Sequence, residues 1–200
     1  MRTVIIGDKT DKSNLGESIK DGVKNLFETS GAEYSFYEVG KEDLNFCVGC
    51  FGCWTKTPGV CVFNDLGREI NREFVNSDVV VLLSPVRYGC YSTAIKRVWD
   101  RSIPIILPFF KKINNEVHHA PRYSKYPELV IVGYGENISD SEVETFKSLS
   151  AANAVNFQTK EARAYVCRGE RDVDRVMQSV NSYVNEKEGE KDEKSMLRKR

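Results

Sequence analysis

Apolar and polar positions follow one another along this chain in blocks whose period changes from two to about 3.6. Residues 2–7 form a short apolar run rich in β-branched side chains and ending in Gly7, the pattern of a central strand. A polar loop follows, and Ser13 stands where an N-cap belongs, ahead of a helix through Ile19 and Val23 to about Glu28. Residues 34–39 alternate as a second strand. Asn64 or Asp65 caps a helix reaching about Val75. Residues 79–83 are apolar on both faces, as a parallel strand covered by helices should be. Ser92 or Thr93 opens a helix through Ile95, Val98 and Trp99. Residues 103–110 are strongly apolar, but Pro104 and Pro108 interrupt them. That argues against one regular element and predicts a packed loop or a partner-facing surface, and 111–127 read as irregular. A fourth strand falls at 129–133. Asp140 or Ser141 caps a helix to about Ala152, 162–167 form a fifth strand, and 171–186 a last helix with Val173, Val176, Val180 and Val184 roughly on one face.

Strands that alternate with helices predict a parallel sheet with right-handed crossovers. Five of them fit an α/β, flavodoxin-like, doubly wound sheet of order 2-1-3-4-5, with ligands beyond the strand C-termini at the switch between strands 1 and 3. Three loops should meet there: 8–14, 84–91 and 133–138. The 200 residues suit one domain, here 1–186, followed by a charged tail, 187–200, read as a frayed helix end or disordered segment.

Composition narrows the function. Lys plus Arg and Asp plus Glu are equal at 29, which gives no electrostatic case for nucleic acid or an anionic membrane. The first apolar run is too short for a signal peptide and no stretch approaches a membrane span. The expectation is a soluble, cytoplasmic protein. In that compartment clustered cysteines point to metal or redox chemistry rather than to structural disulfides. Cys47, Cys50, Cys53 and Cys61 are such a cluster, whereas Cys167 lies apart and reads as a buried apolar residue.

The loop 8–14 suits an anion. It opens a helix, and Thr10, Ser13 and Asn14 can add donors ahead of Leu15. It is neither a Walker loop nor a Gly-x-Gly-x-x-Gly turn, and a polar loop with a cap is the plain alternative. In the second loop Pro85 stiffens the turn, Gly89 admits a close ligand, and Tyr88 and Tyr91 offer flat faces, so a planar heterocycle has a place to lie. His118 and His119 are adjacent, so their side chains diverge and a joint metal site is not expected. They read as a surface loop, or as a reach toward a neighbouring subunit or substrate. Lys96, Asp100 and Arg101 read as helix-surface or subunit contacts.

Taken together, Cys47-x-Gly49-Cys50-x2-Cys53-Trp54, Pro58-Gly59-x-Cys61-x3-Asp65, Ser84-Pro85-Val86-x-Tyr88-Gly89 and Lys96-x3-Asp100-Arg101 resemble the flavodoxin-like NAD(P)H-dependent FMN reductase family, in particular the branch that includes iron–sulfur flavoproteins. The likeness covers about residues 2–167. It implies FMN, with its phosphate on Asp8, Thr10, Ser13, Asn14 and Leu15 and its ring against Pro85, Val86, Arg87, Tyr88, Gly89 and Tyr91, and with Gly133, Tyr134 and Gly135 completing the site. It also implies homodimers or homotetramers.

The chain departs from the family in Asp8-Lys9, where many members carry Ser followed by Pro and Arg. An acid beside a phosphate is unfavourable unless it turns away. It departs again in Asn64-Asp65, where members commonly have paired acids. Arg87 would place positive charge near the ring and favour the anionic reduced flavin.

For the four cysteines three readings stay open. They supply the four thiolates of a four-iron four-sulfur cluster, though the gap of seven residues before Cys61 and the Val62 after it differ from a ferredoxin run. They could hold a structural zinc, but lack its two separated pairs. Or they are free thiols or a redox-labile pair beside the flavin, the preferred reading. The leading expectation is an FMN-dependent oxidoreductase that passes electrons from NAD(P)H to a quinone, a nitro or azo compound or a protein acceptor, with no catalytic acid or base required. The alternatives are an iron–sulfur flavoprotein that carries electrons between proteins, and a flavin-free module of the same fold acting by partner binding.

Overall fold

The computed structural model describes residues 1–159 and 162–197. Five strands form one all-parallel sheet: β1 (Arg2–Asp8), β2 (Glu33–Val39), β3 (Val79–Pro85), β6 (Glu128–Tyr134) and β7 (Ala162–Cys167). Their order is β2-β1-β3-β6-β7, which is the expected 2-1-3-4-5 once the strands of this sheet are counted alone. Register is fixed by which face each side chain must bury. Along β1, Val4 and Ile6 enter one core and Ile5 the other, and β3 splits the same way between Val80 and Leu82 on one side and Val79, Val81 and Leu83 on the other.

Helices α1 (Asn14–Ser30) and α6 (Val173–Leu197) cover one face. Leu15, Ile19, Val23 and Phe27 of α1 meet Val176, Val180 and Val184 of α6 over the sheet, the spacing of one helical stripe. Ser13 caps α1 by accepting from the Gly16 N–H at 3.1 Å. The other face carries α3 (Leu66–Asn76), α4 (Thr93–Arg101) and α5 (Asp140–Asn156). Asp65 and Ser92 are the N-caps of the first two. The cap of α5 is Ser139, one residue earlier than expected, because its hydroxyl and the Glu142 carboxylate close a reciprocal capping box. A single helical turn, α2 (Gly52–Thr55), lies within the cysteine loop. The last helix runs on through Leu197, past the point where a tail was expected to begin. Residues 198–200 of that tail lie outside the described residues.

The segment 103–121 corrects the sequence reading. Residues Ile103–Ile105 make one short 3-10 turn, with Pro104 at its start. Strands β4 (Ile106–Ile113) and β5 (Glu116–Pro121) then form an antiparallel hairpin of their own. Pro108 does not prevent this, because it falls where the register shifts between Ile106 and Phe110, and both strands of a two-stranded ladder are edges. Asn114 and Asn115 turn the hairpin at φ 49° and 68°, the two positive φ values of a type I′ turn. His118 and His119 lie on β5 and diverge. His118 bonds Glu116 and Asn156, while the His119 ring packs on Trp54 and Phe110.

Among the described residues no helix is long and apolar enough to cross a membrane. Cys167 is fully buried, its thiol donating to the Gly169 carbonyl.

Candidate functional site

A cleft of about 540 Å³ opens at the carboxyl ends of β1, β2 and β3, where strand order reverses and ligands of this architecture bind. Asp8, Thr10 and Asp11 line it from the loop after β1, Pro85, Arg87 and Tyr88 from the loop after β3, and Thr93 and Ala94 from the first turn of α4. Gly40, Lys41 and Arg97 also line it and were missed by sequence reasoning. The signal was available, since the loop after the second strand must also end at the sheet's carboxyl edge.

The loop after β3 is a tight turn. Arg87 and Cys90 exchange both backbone hydrogen bonds at 2.9 Å, and Tyr88 and Gly89 take φ 53° and 73°. This turn throws the Tyr88 ring into solvent at 95% exposure. Tyr91 differs: its ring is buried between Trp99 and Phe146, and its hydroxyl contacts Ser150 and Asn153. It therefore forms cleft wall and does not present a free face. Val86 is buried, its N–H donating to the Tyr134 carbonyl at 2.9 Å. Arg87 is largely exposed, with its guanidinium 4.0 Å from the Asp11 carboxylate.

The loop after β1 has turned inward. Asp8 is 1% exposed, and its Oδ1 accepts from the Thr10 N–H at 2.7 Å and the Thr10 hydroxyl at 2.6 Å. The Ser13 hydroxyl donates to Asp11 at 2.7 Å. Leu15 belongs to the core beneath, and Asn14 is exposed. Gly133, Tyr134 and Gly135 stand behind the cleft. A Cβ on Gly133 would lie 2.7 Å from Phe146 and 2.8 Å from Val86, so that glycine serves close packing. The Tyr134 hydroxyl is buried and completes no hydrogen bond. Burial first, and then the neighbouring Asp11 and Asp8 charges, push its pKa far up and keep it protonated.

A second hollow, beside the end of α4, is lined by Cys47, Cys50, Cys53, Cys61, Phe63 and Arg101, among others. All four clustered cysteines face it. The loop that carries them is held at both ends by one ion pair. Asp65 Oδ2 accepts from the Asn45 backbone and side-chain N–H groups at 2.9 Å each. Arg101 grips both Asp65 oxygens at 2.8 Å and donates to the Asn45 carbonyl at 2.7 Å. Arg101 is 2% exposed, so it is a buried clasp rather than the surface contact expected, whereas Lys96 and Asp100 do pair on the exposed face of α4. Burial pushes the Asp65 carboxyl up, but Arg101 and the Asn45 donors outweigh it and hold it well below the usual carboxylate range. The Cys53 thiol is pushed up by burial and then by the neighbouring Cys61, Cys47 and Cys50. Inside the loop, Trp54 stacks on Phe51 and donates to the carbonyls of Ile103 and Ile106, which ties the loop to the root of the hairpin. Among the described residues no three His, Cys, Asp or Glu side chains gather closely enough to hold a single metal ion.

Sheet order defines a flavodoxin-like protein, and its cleft opens at the first topological switch. The chain belongs to the NADPH-dependent FMN reductase family, matched over residues 1–126. It is 33% identical over 100 residues to an iron-sulfur flavoprotein of Archaeoglobus fulgidus, covering 50% of this chain and 44% of that one. It is 30% identical over 116 residues to an iron-sulfur flavoprotein of Methanocaldococcus jannaschii, covering 58% of each. The chain thus spans about half the length of the curated relatives it matches. An azoreductase from Bacillus anthracis shares the fold, with a TM-score of 0.62 at 11% identity over 92% of this chain and 96% of that one.

Proposed function

We propose that this chain is an oxidoreductase that holds FMN in the cleft and passes electrons from NAD(P)H to a quinone, a nitro or azo compound, or a protein acceptor. The cleft at the β1/β3 switch carries this reading, since its volume is in the range of sites for small cofactors. FMN, when bound, supplies the hydride and electron chemistry. The chain's own residues position it. The 87–90 turn offers a flat, glycine-opened rim, and the Tyr88 ring stands free at the mouth. Arg87 brings a cation to the same rim, where it would favour negative charge on a reduced ring. This end of the cleft fits a flavin ring.

Protein expressed with ample riboflavin is expected to carry a flavin spectrum that NADH or NADPH bleaches under anaerobic conditions. Absence of flavin, with no FMN binding at about micromolar concentration, would reject the proposal.

A second reading rests on four cysteines that line one apolar hollow backed by Arg101. Residues of this kind and number fit a four-iron four-sulfur cluster, and two relatives are called iron-sulfur flavoproteins. With such a cluster the protein would carry electrons between protein partners. Iron and sulfide analysis of anaerobically purified protein decides: about four of each per chain supports the cluster, and less than one iron leaves the thiols free.

The hairpin exposes Phe109, Phe110 and Val117, an apolar surface that supports assembly into a homodimer or homotetramer. Sedimentation as a monomer at micromolar concentration would count against it.

A further inference from the structure

The cleft's two ends differ in how well they suit FMN. Around the 87–90 turn the exposed Tyr88 ring and Gly89 leave the rim open to a flavin ring. At the other end the loop after β1 already holds two anions of its own. Asp8 takes up both the N–H and the hydroxyl of Thr10, and Asp11 takes the hydroxyl of Ser13. The Asp11 carboxylate also lies over the first turn of α1. A Cβ built on Gly16 would be 2.0 Å from Asp11 Oδ2, so this side chain occupies the position at the helix N-terminus where an external anion would be expected. Of the cations nearby, Lys9, Arg97 and Arg87 are engaged, whereas Lys12 in the loop and Lys41 on the cleft wall are exposed. Lys9 pairs with Asp43 at 3.1 Å. The Arg97 guanidinium donates to the Lys41 and Leu44 carbonyls and lies 3.8 Å from the centre of the Phe46 ring. Arg87 faces Asp11 itself.

Given the proposed flavin site, we propose that Asp8 and Asp11 act as internal surrogates for the flavin phosphate, so that the isoalloxazine and ribityl parts, not the phosphate, carry affinity. A dianionic phosphate entering this loop would have to displace two carboxylates or sit beside them, and like charges at such range repel strongly where water is partly excluded. FMN is then an exchangeable partner that riboflavin can replace. Asp8 and Asp11 are the residues that set this preference.

The test compares dissociation constants of riboflavin and FMN for the full chain and for the Asp8→Ser/Asp11→Asn variant, by flavin fluorescence quenching. The wild type is expected to favour FMN by less than about tenfold, because the Thr10 and Ser13 donors are already in use and two carboxylates face the phosphate. The variant is expected to tighten FMN by about tenfold or more while leaving riboflavin within about threefold, since only the charged ligand feels the lost carboxylates. Retained riboflavin binding also shows that the variant folds. If it does not fold, the wild-type ratio decides alone. A wild-type preference for FMN of tenfold or more overturns the inference, as does a ratio the substitutions leave unchanged. Failure of both flavins to bind the wild type would instead overturn the flavin site itself.

Discussion

Replacing Arg101 by methionine is expected to cost about 3–5 kcal/mol of folding stability, the usual penalty for leaving one member of a buried ion pair without its partner. Asp65 would keep its bonds from Asn45 and from the Gly67 N–H but lose the guanidinium that holds both its oxygens. The consequence reaches beyond α4, because Arg101 and Asp65 together fix where the cysteine loop leaves and rejoins the fold. Cys53, buried in the wild type, should become reactive toward a thiol reagent as the loop loosens.

Urea denaturation measures the stability change, and the double variant Arg101→Met/Asp65→Leu should recover part of it by removing the orphaned charge. The pH dependence has a definite sign. Asp65 titrates below its ordinary value in the folded chain, so its contribution is fully present above the unfolded carboxyl value, about 3.9, and is lost as pH falls through the lower folded value. With the cation gone that depression shrinks, so the variant should lose less stability than the wild type as pH falls through this range. A variant as stable as the wild type, with Cys53 still unreactive, would show that the clasp does not hold the loop.

What could be read from the sequence follows from which forces are local. The sheet was legible because burial on both faces leaves a near-continuous apolar run, as in Val79–Leu83, and the burial of apolar surface is the main force that drives folding. Caps were legible to within a residue because Ser13 and Ser92 act over one turn of chain. The hairpin was not legible, because Pro104 and Pro108 read as breakers of one element. Their permitted places, a 3-10 start and an edge-strand bulge, depend on the partner strand. Asn114-Asn115 does carry a turn signal, but one too short to outweigh the two prolines before it. Arg101 escaped for a related reason: a charged residue on a helix is exposed by default, and only the return of Asp65 from far along the chain offsets the cost of burying it. Asp8 stands out of place in the sequence, but a sequence cannot say which way such a side chain turns. It turns inward because Thr10 offers two donors within two residues, a local Asx arrangement. Cysteine spacing pointed to a single loop, while the convergence of that loop on Arg101 is set by contacts distant in the chain.

Gly89→Ala is expected to weaken flavin binding by about tenfold or more, through a turn that can no longer sit where it does. Two costs combine. At φ 73° an L side chain carries the left-handed penalty of about 1–2 kcal/mol. In addition, the new Cβ would fall 2.7 Å from the Thr145 Cβ and 3.3 Å from the Glu142 carbonyl oxygen, on a helix that packs against the sheet and gives little, which adds about 1–3 kcal/mol if the turn stays in place. The turn has an easier course, which is to swing away from α5 and into the cleft mouth. Gly31 supplies the control. Its φ is 69°, and nothing lies within 4 Å of its added Cβ, at the C-cap of α1 on the opposite end of the strands. Gly31→Ala should therefore show the backbone penalty alone in urea denaturation and leave riboflavin and FMN affinities unchanged. The difference between the two variants isolates the collision with α5 from the strain common to both. If Gly89→Ala matched Gly31→Ala in stability and in flavin affinity, the 87–90 turn would have no part in shaping the flavin site. A selective loss of affinity would instead place the ring against that turn.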